Sequence, residues 1–321
     1  MSESPLPLSL VFQGATYQRA PLLQNRVGSY VAPYRRTTPG SPAMLLAKEA
    51  YCDRPDGVPL LQQENATAEA LTRPRGRPAS TRCIQAPVAR LPLGQITLDG
   101  GCLLMLYPWA NQSLEVWLEN HPDRCLTQVL RVTAELLRLL ACLHQQGATY
   151  VDLKPSNLLV LEDPEPLTLQ IGDLGGFACY DRAGRDPITT TPGDTPEFMS
   201  RSLGSADTLE NLASALLGEV LLAVLTGPAA QGAMAELRQC IATANRPEAL
   251  ETCAQDALRR LRPLLAPGLQ PKGHFSRSLS DLCAVMLLLL GLTPRGLTFT
   301  WRMASQLLGL GSTGAVQALP A

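Results

Sequence analysis

An acid, a lysine, an amide and a second acid follow one another in a short stretch of this chain: Asp152, Lys154, Asn157 and Asp173. The first three lie in Tyr150-Val151-Asp152-Leu153-Lys154-Pro155-Ser156-Asn157-Leu158-Leu159, the fourth in Ile171-Gly172-Asp173-Leu174-Gly175. Between them, residues 158–161 are apolar, 162–166 are turn-like and 167–171 alternate, which is the pattern of a β-hairpin. A hairpin brings its two ends together, so Asn157 and Asp173 are expected to be neighbours in space. Alone, Asp152 and Asn157 would read as turn caps and Asp173-Leu174-Gly175 as an ordinary Asp-x-Gly turn. The ordered set is far more constraining than its parts.

A helix is expected before this loop, over 126–146, because the leucines at 130, 137, 140 and 143 recur at helical spacing. Gly147 follows its last turn, as glycine commonly does. Together these motifs resemble the catalytic and metal-binding loops of eukaryotic-type serine/threonine protein kinases, whose usual texts are H-R-D-L-x-x-x-N and D-F-G. The resemblance covers nearly the whole chain. It implies an α+β, bilobal fold, with a small β-rich N-lobe at 8–108, a larger helical C-lobe at 109–310, and a loosely ordered tail at 311–321. The compact length and scarce aromatics resemble stand-alone bacterial members of that family.

The resemblance also implies roles. Asp152 would accept a hydrogen bond from a substrate hydroxyl and take its proton late. Lys154 would meet the γ-phosphate of ATP, and Asn157 and Asp173 would offer hard oxygens to Mg²⁺ or Mn²⁺. Ala43-Met44-Leu45-Leu46-Ala47-Lys48 resembles the V-A-I-K strand, making Lys48 the expected contact to the α- and β-phosphates. Its partner carboxylate is expected to be Glu64, with Glu69 as rival. One turn on, Glu64 is followed by the apolar Ala68, whereas Glu69 is followed by Arg73. The glycine-rich loop is poor: residues 23–30 keep only Gly28, which implies a stiffer or displaced phosphate loop. Backbone groups from Tyr107 to Trp109 are the expected hinge contacts to adenine, with Met105 or Leu106 behind them. Trp117 and His144 read as structural.

Residues 173–197 resemble an activation segment closing on Thr195-Pro196-Glu197, with Arg295 and Arg302 as equal candidates to pair with Glu197. The arginine-rich stretch 72–90 reads as a solvated loop, or else as a docking surface for an acidic partner. Net charge near −1 gives no ground for nucleic acid or membrane as a partner. The longest apolar run, 282–292, is too short for a bilayer span and reads as a buried helix. Residues 1–7 do not resemble a secretory signal. Nine cysteines occur singly without C-x-x-C, so neither a zinc site nor a disulfide framework is expected, and a cytoplasmic location follows. Oligomeric state leaves no sequence signal.

Three readings stay open: a protein kinase acting on Ser or Thr of a protein substrate, a non-catalytic pseudokinase, and a small-molecule phosphotransferase. Lys154 and Thr195-Pro196-Glu197 favour the first, and the worn glycine loop motivates the second. Val151 stands where the family has arginine, which removes the usual partner of a phosphorylated activation segment. Replacing Thr189, Thr190 and Thr191 together by Ala is therefore expected to leave any phosphotransfer rate within a few-fold. A fall to background in the same assay would reject that reading.

Overall fold

The computed structural model describes residues 6–20, 31–40, 42–50, 57–72, 87–98, 102–110, 112–161, 167–179, 209–227, 236, 239, 250–270, 276–291 and 299–309. Two compact units divide the chain. One draws on Met1–Gly76 and Ala89–Asn111, the other on Arg77–Val88 and Gln112–Ala321. Their content is mixed, α+β. Gly28, Thr189–Thr191, Glu197 and Arg295 lie outside the described residues, as do residues 311–321.

The first unit is built on a 6-stranded antiparallel sheet in the order β1 (Ser9–Phe12), β2 (Ala15–Arg19), β3 (Val31–Arg36), β4 (Met44–Glu49), β6 (Leu103–Pro108), β5 (Gly94–Thr97). Side chains on a strand point alternately to its two faces. Leu45 and Ala47 therefore enter the apolar core with Tyr17, Tyr34, Leu104 and Leu106, while Lys48 belongs to the opposite, half-buried face. The one helix described in this unit, α1 (Gly57–Thr72), turns Leu61, Asn65 and Ala68 inward, a spacing of about one helical turn. Arg90 departs from the expectation of a solvated arginine stretch. It is only 5% exposed, and burial pulls its guanidinium pKa down to about 10.

The second unit centres on α3 (Leu126–Gln145), whose Val129, Val132, Leu136, Leu139, Leu140 and Leu143 are buried. Two small sheets follow: β7 (Gln112–Ser113), β9 (Leu158–Leu161) and β10 (Thr168–Ile171) in the order β10-β9-β7, and β8 (Ala148–Tyr150) paired with β11 (Phe177–Cys179). A short helix, α2 (Leu114–Asn120), starts at Ser113, whose hydroxyl accepts from the Val116 N–H at 3.3 Å. The expected run at 282–292 lies largely in α6 (Arg277–Leu289), with Leu282, Cys283, Met286 and Leu289 buried. Burial pushes the Cys283 thiol up to about 12. Between α3 and α6 in sequence come α4 (Leu209–Leu225) and α5 (Leu250–Leu261), and α7 (Trp301–Leu307) follows them.

Two buried cations shape this unit. Arg124, 2% exposed, donates to the carbonyls of Ala223 (3.2 Å), Val224 (2.7 Å) and Thr226 at the end of α4, and to those of Leu118 (3.4 Å) and His121 (3.0 Å). The last turn of a helix leaves its carbonyls without intrahelical partners, and the guanidinium satisfies several at once. Burial lowers its pKa to about 10. On α3, Arg138 Nε meets Glu135 Oε2 at 2.9 Å, one turn apart. The same carboxylate oxygen accepts from the Leu169 N–H (3.2 Å), and Arg138 Nη2 donates to the Leu169 carbonyl (2.9 Å). The ion pair thus covers the open edge of β10 as another strand would.

The cysteine expectation needs correction. Cys125, Cys253 and Cys283 are free, whereas Cys102 and Cys142 each take part in a disulfide. Spacing rules detect local motifs only, and these two positions have no cysteine close by in sequence on the C-x-x-C pattern. Among the described residues, no helix is long and apolar enough to cross a membrane.

Replacing Arg138 by Met should strand a buried carboxylate and cost about 3–5 kcal/mol of stability. Breaking the exposed pair Arg260–Asp256 by Arg260→Ala should cost less than about 1 kcal/mol. Urea unfolding followed by circular dichroism measures both. Equal losses would show that the α3–β10 ion pair is not a structural staple.

Candidate active site

In the first unit, Lys48 and Glu64 meet. Lys48 stands opposite Met105 and Val31 in the sheet, and its Nζ lies 2.8 Å from Glu64 Oε2 on α1, both side chains about one quarter exposed (23% and 25%). Glu64 takes this contact because it neighbours the inward stripe formed by Leu61, Asn65 and Ala68. Ala68, one turn on, is fully buried. Beside it, Tyr107 donates its hydroxyl hydrogen to Asn65 Oδ1 at 2.8 Å, and Asn65 Nδ2 donates to the Leu61 carbonyl at 2.6 Å. Tyr107 is thereby buried and ties β6 to α1, whereas Trp109, just past the strand, stays half-buried.

In the second unit, the hairpin brings Asn157 and Asp173 together. Leu158 stands opposite Ile171, and the Gly172 N–H donates to the Asn157 carbonyl at 2.8 Å. Asp173 follows, exposed, with its Oδ1 accepting from the Gly175 N–H at 3.3 Å. A second ladder holds the neighbouring segments. Tyr150 stands opposite Phe177, and the Val151 N–H donates to the Gly176 carbonyl at 2.8 Å.

Asp152 is gripped from within its own loop. Its Oδ2 accepts from Asn157 Nδ2 at 2.6 Å and from Lys154 Nζ at 3.0 Å, and its backbone carbonyl accepts from Asn157 Nδ2 at 3.1 Å. Two donors on one oxygen fix the rotation of the carboxylate. Asn157 is 7% exposed and Lys154 is partly buried, so the loop is packed and not splayed into solvent.

Among the described residues, no cluster of three or more His, Cys, Asp or Glu side chains could enclose a metal ion. Two hard oxygen donors, one carboxylate and one amide, fit Mg²⁺ or Mn²⁺ held largely by phosphates and water. They do not make a zinc site, which needs three or four protein ligands with Cys or His among them.

Other residues fall where sequence reasoning puts them, or take contacts it did not supply. His144 ends α3 with its ring edge-on to Trp301 (5.8 Å between centroids), and burial lowers its pKa. Trp117 is 1% exposed and stacks on His121. Arg302, a candidate partner of Glu197, forms a two-pronged contact with Glu210 of α4, Nε at 2.7 Å and Nη2 at 2.5 Å. Sequence reasoning assigned no role to Tyr150 and missed the Glu135–Arg138 pair. The latter carried a signal: two opposite charges three residues apart on the leucine face of a helix.

Gly176 admits no side chain. A Cβ there would lie 2.8 Å from Tyr150 Cε2 and 2.9 Å from Asp152 Cβ. Gly176→Ala should therefore displace the Tyr150 ring or Asp152 and cost roughly 1–3 kcal/mol. Thermal unfolding reads this directly, and an unchanged midpoint would mean that the loop absorbs the methyl group without strain.

No family profile matches the chain. Among curated proteins, it is 27% identical over 147 residues to serine/threonine-protein kinase pkn3 of Myxococcus xanthus, an alignment covering 44% of this chain and 26% of that protein. The chain therefore spans about a quarter of the length of that relative (26%), to which its similarity is distant.

Proposed function

We propose that this chain is an ATP-dependent protein kinase with a bilobal kinase-like fold, transferring the γ-phosphate to Ser or Thr hydroxyls of a protein substrate. The observation that carries the reading is the grip on Asp152, whose Oδ2 holds both Asn157 Nδ2 and Lys154 Nζ. A turn-capping acid needs neither. The Lys48–Glu64 contact at 2.8 Å supports it independently, since a lysine so held is ready to meet phosphate oxygens. The distant likeness to a serine/threonine-protein kinase agrees with this choice.

Phosphoryl transfer has a loose transition state, so the residues act mainly by position and charge. Asp152 orients the attacking hydroxyl and receives its proton as the oxygen–phosphorus bond forms and the bond to the leaving ADP breaks. Lys154 offsets charge on the transferred group. Lys48 holds the α- and β-phosphates, oriented by Glu64. When bound at Asn157 and Asp173, Mg²⁺ or Mn²⁺ would neutralise charge on the phosphate oxygens. Backbone groups from Tyr107 to Trp109 take the adenine edge.

The test is incubation of the purified protein with γ-labelled ATP, Mg²⁺ or Mn²⁺ and a generic basic protein acceptor, beside Asp152→Ala. Label on protein that falls by roughly 10²-fold or more in the variant is the expected result. Nucleotide binding without transfer would favour a pseudokinase, and transfer only to small alcohols would favour a small-molecule phosphotransferase.

A further inference from the structure

Two consecutive residues of α1 are gripped from one face of the first unit's sheet. In the pairing of β4 with β6, Lys48 stands opposite Met105 and Leu46 opposite Tyr107. Positions two apart on a strand share a face, so Lys48 and Tyr107 both belong to the face that meets α1. Lys48 Nζ lies 2.8 Å from Glu64 Oε2, and the Tyr107 hydroxyl lies 2.8 Å from Asn65 Oδ1. The atoms of Asn65 can be assigned by their chemistry. Its Nδ2 donates to the Leu61 carbonyl at 2.6 Å, and a carbonyl only accepts. Oδ1 is therefore the atom turned to Tyr107, and the phenol is the donor.

The two contacts differ in how firmly they hold. Lys48 and Glu64 are each about one quarter exposed (23% and 25%), and an ion pair so open to water does little to fix a helix. Asn65 and Tyr107 are 5% and 4% exposed, so breaking their bond would leave buried polar groups unsatisfied. Leu61 and Ala68 add apolar burial, which is non-directional and tolerates rotation of the helix. Asparagine is also a poor residue for a helix interior, a cost that its two bonds here offset.

From this we infer that Tyr107 and Asn65 are positioning residues whose bond sets the rotation of α1 about its own axis and so keeps Glu64 on Lys48. Successive helical residues are about 100° apart, so a turn that takes Asn65 off the phenol also takes Glu64 off the lysine. The inference rests on the kinase reading above and deepens it. Lys48 is the proposed contact to the α- and β-phosphates, and the backbone of Tyr107 belongs to the proposed adenine contact. One residue thus joins the nucleotide site to the helix that orients its lysine.

The experiment is a double-mutant cycle in the full chain, at a temperature where each variant is folded. It measures kcat and KM with γ-labelled ATP and Mg²⁺, and affinity for a fluorescent ATP analogue. Tyr107→Phe keeps the ring, removes the donor, and should lower kcat/KM roughly 10-fold. Glu64→Gln should lower it at least as much. Adding Tyr107→Phe to Glu64→Gln should then lower it no further, because the bond acts through Glu64. A Tyr107→Phe protein that melts lower but keeps the wild-type kcat/KM overturns the role of the bond and leaves the kinase reading standing. So does a loss that recurs in full on the Glu64→Gln background. A wild-type chain that binds no nucleotide overturns both. If it binds nucleotide without transfer, the kinase reading falls, and the same cycle read as affinity decides the role of the bond. Should Tyr107→Phe not fold, Asn65→Ala takes its place in the cycle.

Discussion

The register of one hairpin governs everything described around Asp152. Leu158 opposite Ile171 is the pairing that sets the Gly172 N–H on the Asn157 carbonyl and starts Asp173 beside it. Slipping a strand by one residue turns every side chain to the other face, and such a slip would send Leu169 and Ile171 out of the core. It would also carry the Leu169 peptide away from Glu135 and Arg138. The register is therefore fixed three times over, by apolar burial, by the buried ion pair on α3 and by the Tyr150 hydroxyl between Asn157 and Asp173.

Charges in this protein are used differently according to depth. Arg124 and Arg138 are buried and bonded to backbone carbonyls, and Arg124 serves as a cap for a helix that begins far away in sequence. Lys48 and Lys154 are only partly withdrawn from solvent, with Glu64 beside the first and Asp152 beside the second. Such a lysine keeps access to an incoming anion, where a fully enclosed guanidinium would not. The buried guanidiniums thus belong to the frame, and each half-buried lysine keeps contact with solvent.

Much of this was legible in the amino-acid order. The alternation in 167–171 and the apolar run at 158–161 foretell the hairpin, leucine spacing foretells α3, and Ala68 one turn after Glu64 separates Glu64 from Glu69. What sequence could not carry was pairing by hydrogen bonds between distant polar atoms. Tyr150 has no evident role until its oxygen is seen 2.8 Å from the Asp173 carbonyl and 3.2 Å from Asn157 Nδ2. Arg90 reads as solvated because arginine and proline surround it, yet the two residues before it, Val88 and Ala89, are buried and draw it inward. Cys102 and Cys142 escape because a disulfide is a matter of three-dimensional proximity, not of spacing along the chain. Gly28 and the threonines at 189–191 lie outside the described residues.

The guanidinium of Arg124 joins backbone about one hundred residues ahead of it (sequence separations of 99, 100 and 102). A loop of that length closes at a large entropic cost, while the 158–171 hairpin and the α3–β8 connection close over short distances. The order of assembly follows. The segment bearing Asp152 and Asn157 can take shape early from local contacts, and the far end of α4 is sealed only when the intervening chain has condensed.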